Sequence, residues 1–202
     1  MFLLIGLGNP GNIYKNTRHN FGFKIIDQII QDYDFDTKPI KKFSSEFFSG
    51  TINNTKTLCI KPQTYMNKSG IAVQSIATFY KIPLENIIVF HDDLDLELGR
   101  IKIKVGGGNA GHNGLKDIDQ SIGKDYIRIR LGIGHPQSDN ASSFVLGKFT
   151  SDEKKLLTQI INSISELTPL LLEKDYENFL NKFFLEKFHP SSAKRAEGLS
   201  VS

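Results

Sequence analysis

Apolar positions along the chain follow two periods, one typical of strands and one typical of helices. A continuous apolar run over 2–7 predicts a buried strand, which ends in the glycine-containing turn segment 8–11. Large apolar residues recur at helical spacing over 21–30, and a second helical pattern over 71–79 stops before Pro83. The first part of the chain therefore alternates strand and helix.

The remaining patterns predict further strands and helices. Asn53 and Asn54 favour a hairpin turn between strands at 46–52 and 57–60, while 32–42 has the character of a loop. Later strands are predicted at 87–90, 101–105 and 127–134, and later helices at 156–167, behind a capping box at 150–153, and at 176–185.

Strands mixed with helices, several of the strands apolar on both faces, favour a single three-layer α/β/α domain. We expect its sheet to be mixed, mostly parallel and twisted. A chain of 202 residues is long enough for one such domain and short for two. We expect the domain to cover 1–188. The segment 189–202 is small, polar and charged, which predicts a disordered tail.

Composition narrows the class of protein without identifying it. Hydrophobic residues make up 39% and charged residues 23%, and no apolar run approaches the ~20 residues of a membrane-spanning helix. No basic leader precedes the first strand, and Cys59 is the only cysteine, so no intramolecular disulfide can form. We therefore expect a cytoplasmic protein. The net charge of +3 is too small by itself to indicate a nucleic-acid-binding protein.

The segment 6–11 spells G-x-G-x-x-G, the fingerprint of a dinucleotide-binding fold. That function requires a helix to begin within the motif, so that its N-terminus meets the pyrophosphate. Here the helical pattern begins only near Asn20, and no strand ending in an acidic residue follows at the required distance. We therefore expect no nucleotide cofactor. The glycines more simply allow a sharp turn at the carboxyl edge of the sheet.

His19 and Asp92 each follow a predicted core strand, at the ends where side chains of neighbouring strands converge. A histidine held by an aspartate is a recurring general base at neutral pH. The pattern alone leaves open whether these two residues are such a pair or satisfied loop residues. No G-x-S-x-G elbow is present, and Cys59 lies within a predicted strand as a buried thiol. Water is therefore the candidate nucleophile, and hydrolysis the candidate reaction.

A metal centre at His91–Asp95, together with Glu97, is the alternative site. Leucines alternate with the acidic residues there, and the spacing fits neither an EF-hand nor a zinc pattern. We therefore expect no metal.

The most unusual segment is 106–114, with five glycines in nine residues and helical spacing after it. Such a backbone lets a ligand approach closely, and a flexible surface loop is the alternative. Basic residues on two alternating strands gather around this segment and would form a face for a phosphate backbone. They are Lys102, Lys104, Arg128 and Arg130.

Seven motifs occur in order along the chain. They are 6–11, Tyr14 with 17–20, 61–70, 91–95, 106–116, 130–136 and 144–149. Together they resemble the peptidyl-tRNA hydrolase family of the bacterial type, over roughly 1–185. The resemblance implies a single three-layer α/β domain that acts as a monomer without a cofactor. Its substrate would be peptidyl-tRNA, cut at the ester between peptide and tRNA.

The resemblance also implies roles for individual residues. His19 would draw a proton from water, Asp92 would hold His19 in its basic form, and Asn9 would read the amide of the blocked amino group. The groove for the tRNA 3′ end and the peptide would be lined by Tyr14, Tyr65, Met66, Asn67 and Asn113. Lys104 and Arg130 match positions that meet tRNA phosphates, and Lys102 shares their basic face.

Some features leave alternatives open. Asn67 suits an N-cap for the helix after it as well as a groove residue, and either Asn67 or Asn113 could stabilise an oxyanion. Tyr65 stands where some relatives carry phenylalanine, and Asn109-Ala110 replaces a more usual His-Gly. Two rival functions are a non-catalytic tRNA-binding module and a metal-dependent hydrolase centred on His91–Asp95.

Overall fold

The computed structural model describes residues 1–36, 38–136 and 140–188. The predicted tail at 189–202 lies outside these residues, so the tail and the domain boundary at 188 stay predictions. In chain order the strands are β1 (Phe2–Gly6), β2 (Asp34–Phe35), β3 (Ile40–Lys42), β4 (Ser45–Ile52), β5 (Thr55–Pro62), β6 (Ile87–Asp93), β7 (Ile101–Val105) and β8 (Ile127–Gly132).

Six α-helices and three short 3-10 turns lie between and after the strands within the described ranges. The helices are α1 (Phe21–Asp32), α2 (Ser69–Tyr80), α3 (Asn113–Ile122), α4 (Ala141–Val145), α5 (Ser151–Leu172) and α6 (Tyr176–Phe188). The 3-10 turns are Arg18–Asn20, Met66–Lys68 and Leu84–Asn86. None of these described helices is long and apolar enough to cross a membrane.

The strands form one mixed sheet in the order β2-β4-β5-β1-β6-β8-β7, with β3 paired to β4. The four central strands β5, β1, β6 and β8 run parallel, while β4 and β7 flank them in the antiparallel direction. Gly6 pairs with Phe90, and Asp92 pairs with Leu131. The carboxyl ends of β1, β6 and β8 therefore meet at one edge of the sheet, where α/β proteins place their sites.

Two hydrophobic cores lie on opposite faces of this sheet. Phe2 and Leu4 of β1 pack into the core shared with α1, α5 and α6. Leu3 and Ile5, the alternate residues, pack into the core shared with α2 and α3. Successive side chains of a strand point to opposite faces, so an uninterrupted apolar strand is buried on both sides. The predicted three-layer α/β/α fold is confirmed.

Close packing of α1 against β1 accounts for part of the G-x-G-x-x-G motif. A Cβ on Gly6 would lie 2.3 Å from the carbonyl oxygen of Gly22, and one on Gly22 would lie 2.3 Å from that of Phe90. The two glycines let the helix approach the sheet, and α1 begins at Phe21, well after the motif. This approach brings the residues just before α1 to the carboxyl edge of the sheet.

The predicted loop at 32–42 is wrong. It contains β2 and β3, which both pair with β4 in the antiparallel direction. Strands of two and three residues are too short to show an alternating pattern, so only pairing with β4 defines them. The hairpin turn is confirmed, because Asn53 and Asn54 have φ of 45° and 64°, as primed hairpin turns require. Helix α4 was not predicted.

Candidate active site

His19 and Asp92 meet at the carboxyl edge of the sheet, as their positions predict. The 3-10 turn before α1 carries His19, and the end of β6 carries Asp92. His19 Nδ1 lies 2.9 Å from each carboxylate oxygen of Asp92. The ionised carboxylate can only accept hydrogen bonds, so Nδ1 carries the proton and Nε2 keeps the lone pair. This is the tautomer that a general base needs.

The charge of Asp92 is stabilised although its side chain is only 2% exposed. Burial by itself would raise the pKa of Asp92. The positive charge that His19 carries once it is protonated, together with hydrogen bonds from His112 and His19, outweighs burial and places this pKa well below its usual range. Asp92 is therefore an anion at neutral pH.

His112, in the glycine-rich segment, is a second partner of Asp92 that the sequence patterns did not identify. Its Nε2 lies 3.1 Å from Asp92 Oδ1, and its ring centroid is 5.0 Å from that of His19. Its Nδ1 accepts hydrogen bonds from the backbone N–H groups of Gly114 and Leu115 and so caps α3. Nδ1 is thus unprotonated, and Nε2–H donates to Asp92. His112 stands among glycines in the sequence, and spacing alone could not assign it a partner.

His91 lies beside this cluster in a neutral form. Its Nδ1 donates to the carbonyl oxygen of Asp92 at 2.8 Å, and its ring meets His112 edge-on with centroids 5.2 Å apart. Burial, together with the nearby His112, lowers the pKa of His91 to about 3. His91 therefore adds no charge to the site at neutral pH.

Among the described residues, one group of side chains could hold a metal ion. It consists of His19, Asp92 and His112, whose possible ligand atoms lie within 4.8 Å of one another. A metal on His112 Nε2 would need the proton to move to Nδ1, which faces two backbone N–H donors. The hydrogen bonds therefore favour a proton-transfer cluster over a metal centre. The rival centre is spread out, because Asp93 pairs with Arg130 at 2.6 Å and the side chain of Asp95 is 68% exposed.

Asn9 is held in one orientation at the end of β1. Its Oδ1 accepts a hydrogen bond from the backbone N–H of Met66 at 2.8 Å. Its own backbone N–H and carbonyl groups exchange hydrogen bonds of 2.9 Å with the side chain of Asn20. Because Oδ1 is occupied, Nδ2 is the group that this side chain offers to a substrate. Asn9 therefore presents an N–H donor to the cleft.

A cleft of about 790 Å³ opens above these residues. Its lining includes the catalytic candidates His19, Asp92 and Asn9 and most of the predicted binding residues, namely Tyr65, Met66, Asn67, Asn113, Lys104 and Arg130. Tyr14 and Lys102 do not line it: the Tyr14 carbonyl stabilises the turn that leads to His19, and Lys102 lies exposed on the edge strand β7. Their roles stay predictions.

The predicted N-cap role of Asn67 is wrong. Helix α2 begins at Ser69, and its N-cap residue is Lys68, without a side-chain capping hydrogen bond. Asn67 instead belongs to the 3-10 turn Met66–Lys68 and is exposed on the cleft. The short turn, which the sequence pattern does not reveal, makes the helix begin one residue later than an N-cap at Asn67 requires. Asn67 and Asn113 therefore both have amides available to the cleft.

The predicted basic face is only partly available. Lys102 pairs with Arg130, and Lys104 with Arg128, across β7 and β8, so the four side chains share one side of the sheet. Arg128, however, is 1% exposed. Its guanidinium donates to Asp119 at 2.7 Å and to the carbonyl of Gly108 at 2.9 Å.

The expectation that Arg128 faces phosphate is therefore wrong. A buried guanidinium needs a carboxylate partner, and Asp119 supplies one. Arg130 is 22% exposed beside Asp93, and Lys102 and Lys104 are exposed. The cations of this face that can reach solvent are thus the two lysines and, in part, Arg130.

The chain is similar to known proteins over most of its length. The family model described as peptidyl-tRNA hydrolase matches residues 3–191. A peptidyl-tRNA hydrolase of Rickettsia bellii is 49% identical over 183 residues, covering 90% of this chain and 99% of that protein. One of Clostridium novyi is 45% identical over 184 residues, covering 91% of this chain and 97% of that protein.

Solved structures give the same result for the fold. The Arg119Gln mutant of peptidyl-tRNA hydrolase from Acinetobacter baumannii matches with a TM-score of 0.86 and 40% identity. The match covers 91% of this chain and 94% of that one. A family match over nearly the whole described chain, and relatives of this identity and coverage, establish common descent. The chain belongs to the peptidyl-tRNA hydrolase family.

Proposed function

We propose that this protein hydrolyses peptidyl-tRNA, releasing free tRNA and peptide, with water activated by His19. The observation that carries the proposal is the hydrogen bond between His19 and Asp92 at one end of a large cleft. It fixes the tautomer in which His19 Nε2 can accept a proton. The relatives that share this chain's fold and sequence carry the name of this activity.

The reaction needs a general base, a carboxylate that stabilises the protonated base, and hydrogen-bond donors for the oxyanion. His19 Nε2 takes a proton from water as its oxygen attacks the ester carbonyl carbon, and Asp92 stabilises the imidazolium. The negative charge that develops on the carbonyl oxygen is met by an amide donor of Asn67 or Asn113. The carbon–oxygen bond to the ribose of the terminal adenosine then breaks. The proton on His19 passes to the leaving ribose oxygen.

Asn9 would select substrates in which the amino group is blocked. A peptidyl or N-acetyl group carries an amide carbonyl next to the scissile residue, and this carbonyl can accept from Asn9 Nδ2. An ordinary aminoacyl group has an ammonium there, which can only donate. The fixed orientation of Asn9 therefore favours peptidyl-tRNA over aminoacyl-tRNA.

The RNA part of the substrate would lie across the exposed cations beside the cleft. We assign phosphate contacts to Lys104, Lys102 and Arg130, which share one side of β7 and β8. We also propose that the protein needs no cofactor and acts as a monomer in the cytoplasm, where ribosomes produce its substrate. A size-exclusion run in which the protein elutes as a dimer would contradict the monomeric state.

The direct test is incubation with labelled N-acetyl-aminoacyl-tRNA, with aminoacyl-tRNA as the matched substrate. We expect release of label from the first and little from the second. Binding without release would favour the non-catalytic tRNA-binding module. Loss of activity in chelator would favour the metal-dependent hydrolase, and cleaved rather than intact tRNA would indicate a nuclease.

A further inference from the structure

Arg18, the residue before the candidate base, is buried beneath the segment that precedes α5. Its Nη2 donates to both carboxylate oxygens of Glu153, at 2.8 and 2.9 Å, and its Nη1 donates to the Lys148 carbonyl. The guanidinium carbon lies 4.6 Å and 4.8 Å from the ring centroids of Phe144 and Phe149. A planar guanidinium held by a bidentate carboxylate and two rings has one fixed position.

The main chain makes the same connection. The backbone N–H of Arg18 donates to the carbonyl of Gly147 at 2.9 Å, and Thr17 forms a β-bridge with Lys148. The segment that carries His19 is therefore joined to residues 147–153 by both its backbone and its side chain.

Helix α4 is the element that this connection holds in place. Ala141, Ser142 and Val145 of α4 line the cleft, as does Leu146 after it. None of the five residues of α4 is fully buried, and its core packing is limited to the partly buried side chains of Phe144 and Val145. Phe144, the aromatic residue of α4, lies on the Arg18 guanidinium. Beside this packing, Arg18 supplies the polar contact that joins this wall of the cleft to the segment carrying His19.

We propose that Arg18 is a positioning residue that sets the distance between His19 and the α4 wall of the cleft, and so the fit of the substrate. This inference rests on the proposed hydrolase function. His19 is oriented independently, by the 2.9 Å hydrogen bonds to Asp92 on β6. Loosening the Arg18 contact therefore moves the wall and leaves the base in place. We therefore expect loss of the Arg18 contact to raise KM and to leave kcat unchanged.

Glu153→Gln is the sharpest test, because it separates the two interactions of the Glu153 side chain, the ion pair with Arg18 and the capping of α5. Its side chain also completes a capping box with Thr150 at the start of α5, and glutamine serves that motif as well as glutamate. Glutamine removes the carboxylate that Arg18 requires. We expect KM for N-acetyl-aminoacyl-tRNA to rise roughly tenfold, the equivalent of one lost charged hydrogen bond, with little change in kcat.

Asp152→Asn is the matched control. It changes the net charge equally at the neighbouring position, where the Asp152 side chain is 95% exposed. Its KM should equal that of the wild type, which excludes a general effect of charge on tRNA binding. Arg18→Lys should raise KM as Glu153→Gln does, because lysine keeps the charge but loses the second nitrogen that donates to the Lys148 carbonyl and the planar group that lies on Phe144. Thermal unfolding establishes that each variant is folded at the assay temperature.

An unchanged KM in folded Glu153→Gln and Arg18→Lys would overturn the proposal, even if both variants unfold at lower temperature. A fall in kcat with constant KM would also overturn it, since Arg18 would then act on the base. An inactive wild-type protein is a different outcome, which refutes the hydrolase function itself.

Discussion

At the scale of single residues, the site is organised around one carboxylate with two histidine partners. The sequence pointed to His19 and Asp92, because both follow core strands that end at the same edge of the sheet. It could not point to His112, which is twenty residues after Asp92 and returns to it only through the fold of the glycine-rich segment. For Arg128 the sequence was misleading. The alternating pattern correctly predicted the side of the sheet on which Arg128 lies, but it could not reveal the buried Asp119 that pairs with its guanidinium.

His112 has two roles that two substitutions can separate. His112→Ala removes the hydrogen bond to Asp92 and the cap of α3, so we expect a loss of activity and of roughly 1 kcal/mol of stability. His112→Asn should restore most of the stability, because asparagine is a good N-cap, without restoring activity. Steady-state rates and urea unfolding measure both effects. Full activity in folded His112→Asn would mean that the hydrogen bond to Asp92 is dispensable.

His91 makes stability depend on pH. Its folded pKa of about 3 lies below the value near 6.5 of an unfolded histidine, so the unfolded state binds the proton first as the pH falls. Stability is therefore lost on acidification from about pH 6.5 toward 3. Between pH 7 and pH 5, we expect urea unfolding to show roughly 2 kcal/mol more loss for the wild type than for His91→Asn. Equal losses would contradict a buried, neutral His91.

At the scale of elements, the parallel strands and their helices were predictable, and the short pieces were not. Long apolar periods identify β1, α1 and α5, since each buries a continuous stripe of its own residues. In contrast, β2, β3 and α4 are two to five residues long, and each depends on a neighbour for its position. The site uses such short elements, because α4 and two of the 3-10 turns, Arg18–Asn20 and Met66–Lys68, contribute residues to the walls of the cleft.

The approach of α1 to β1 is the element contact that positions His19. Gly22→Ala would place a methyl group 2.3 Å from the Phe90 carbonyl oxygen and 2.4 Å from the Leu7 nitrogen, both backbone atoms. We expect a loss of roughly 3 kcal/mol of stability, together with lower activity, because α1 must move away from the sheet. Gly108→Ala is the control, since a Cβ there has open space. Equal stabilities of the two variants in urea unfolding would refute this packing argument.

At the scale of the whole molecule, a small net charge conceals a local cationic surface. The chain carries +3 overall, yet Lys102, Lys104 and Arg130 lie together beside the cleft. Asp93 and Asp95 lie beside Arg130, and further acidic residues along the chain balance the lysines, which is why composition did not reveal a nucleic-acid partner. The cationic surface could be predicted only from the alternating charges of two strands, β7 and β8, which the sequence places on either side of the glycine-rich segment.

Lys104→Ala tests whether this surface binds phosphate. We expect a higher KM, a kcat near that of the wild type and a salt dependence of KM weaker by about one unit of log–log slope, as for one lost phosphate contact. Lys174→Ala, at the exposed end of α5, removes one positive charge outside the cleft and is the control. A salt slope identical in Lys104→Ala and the wild type would exclude a phosphate contact at this lysine.

The central claim is that the His19 imidazole activates water. It is tested most directly by the turnover of His19→Ala on N-acetyl-aminoacyl-tRNA, with tRNA affinity measured separately and the exposed His135→Ala as the matched control. We predict a fall in kcat of about 10²- to 10⁴-fold for His19→Ala, with tRNA affinity preserved and His135→Ala fully active. Turnover by His19→Ala at the wild-type rate would contradict the account.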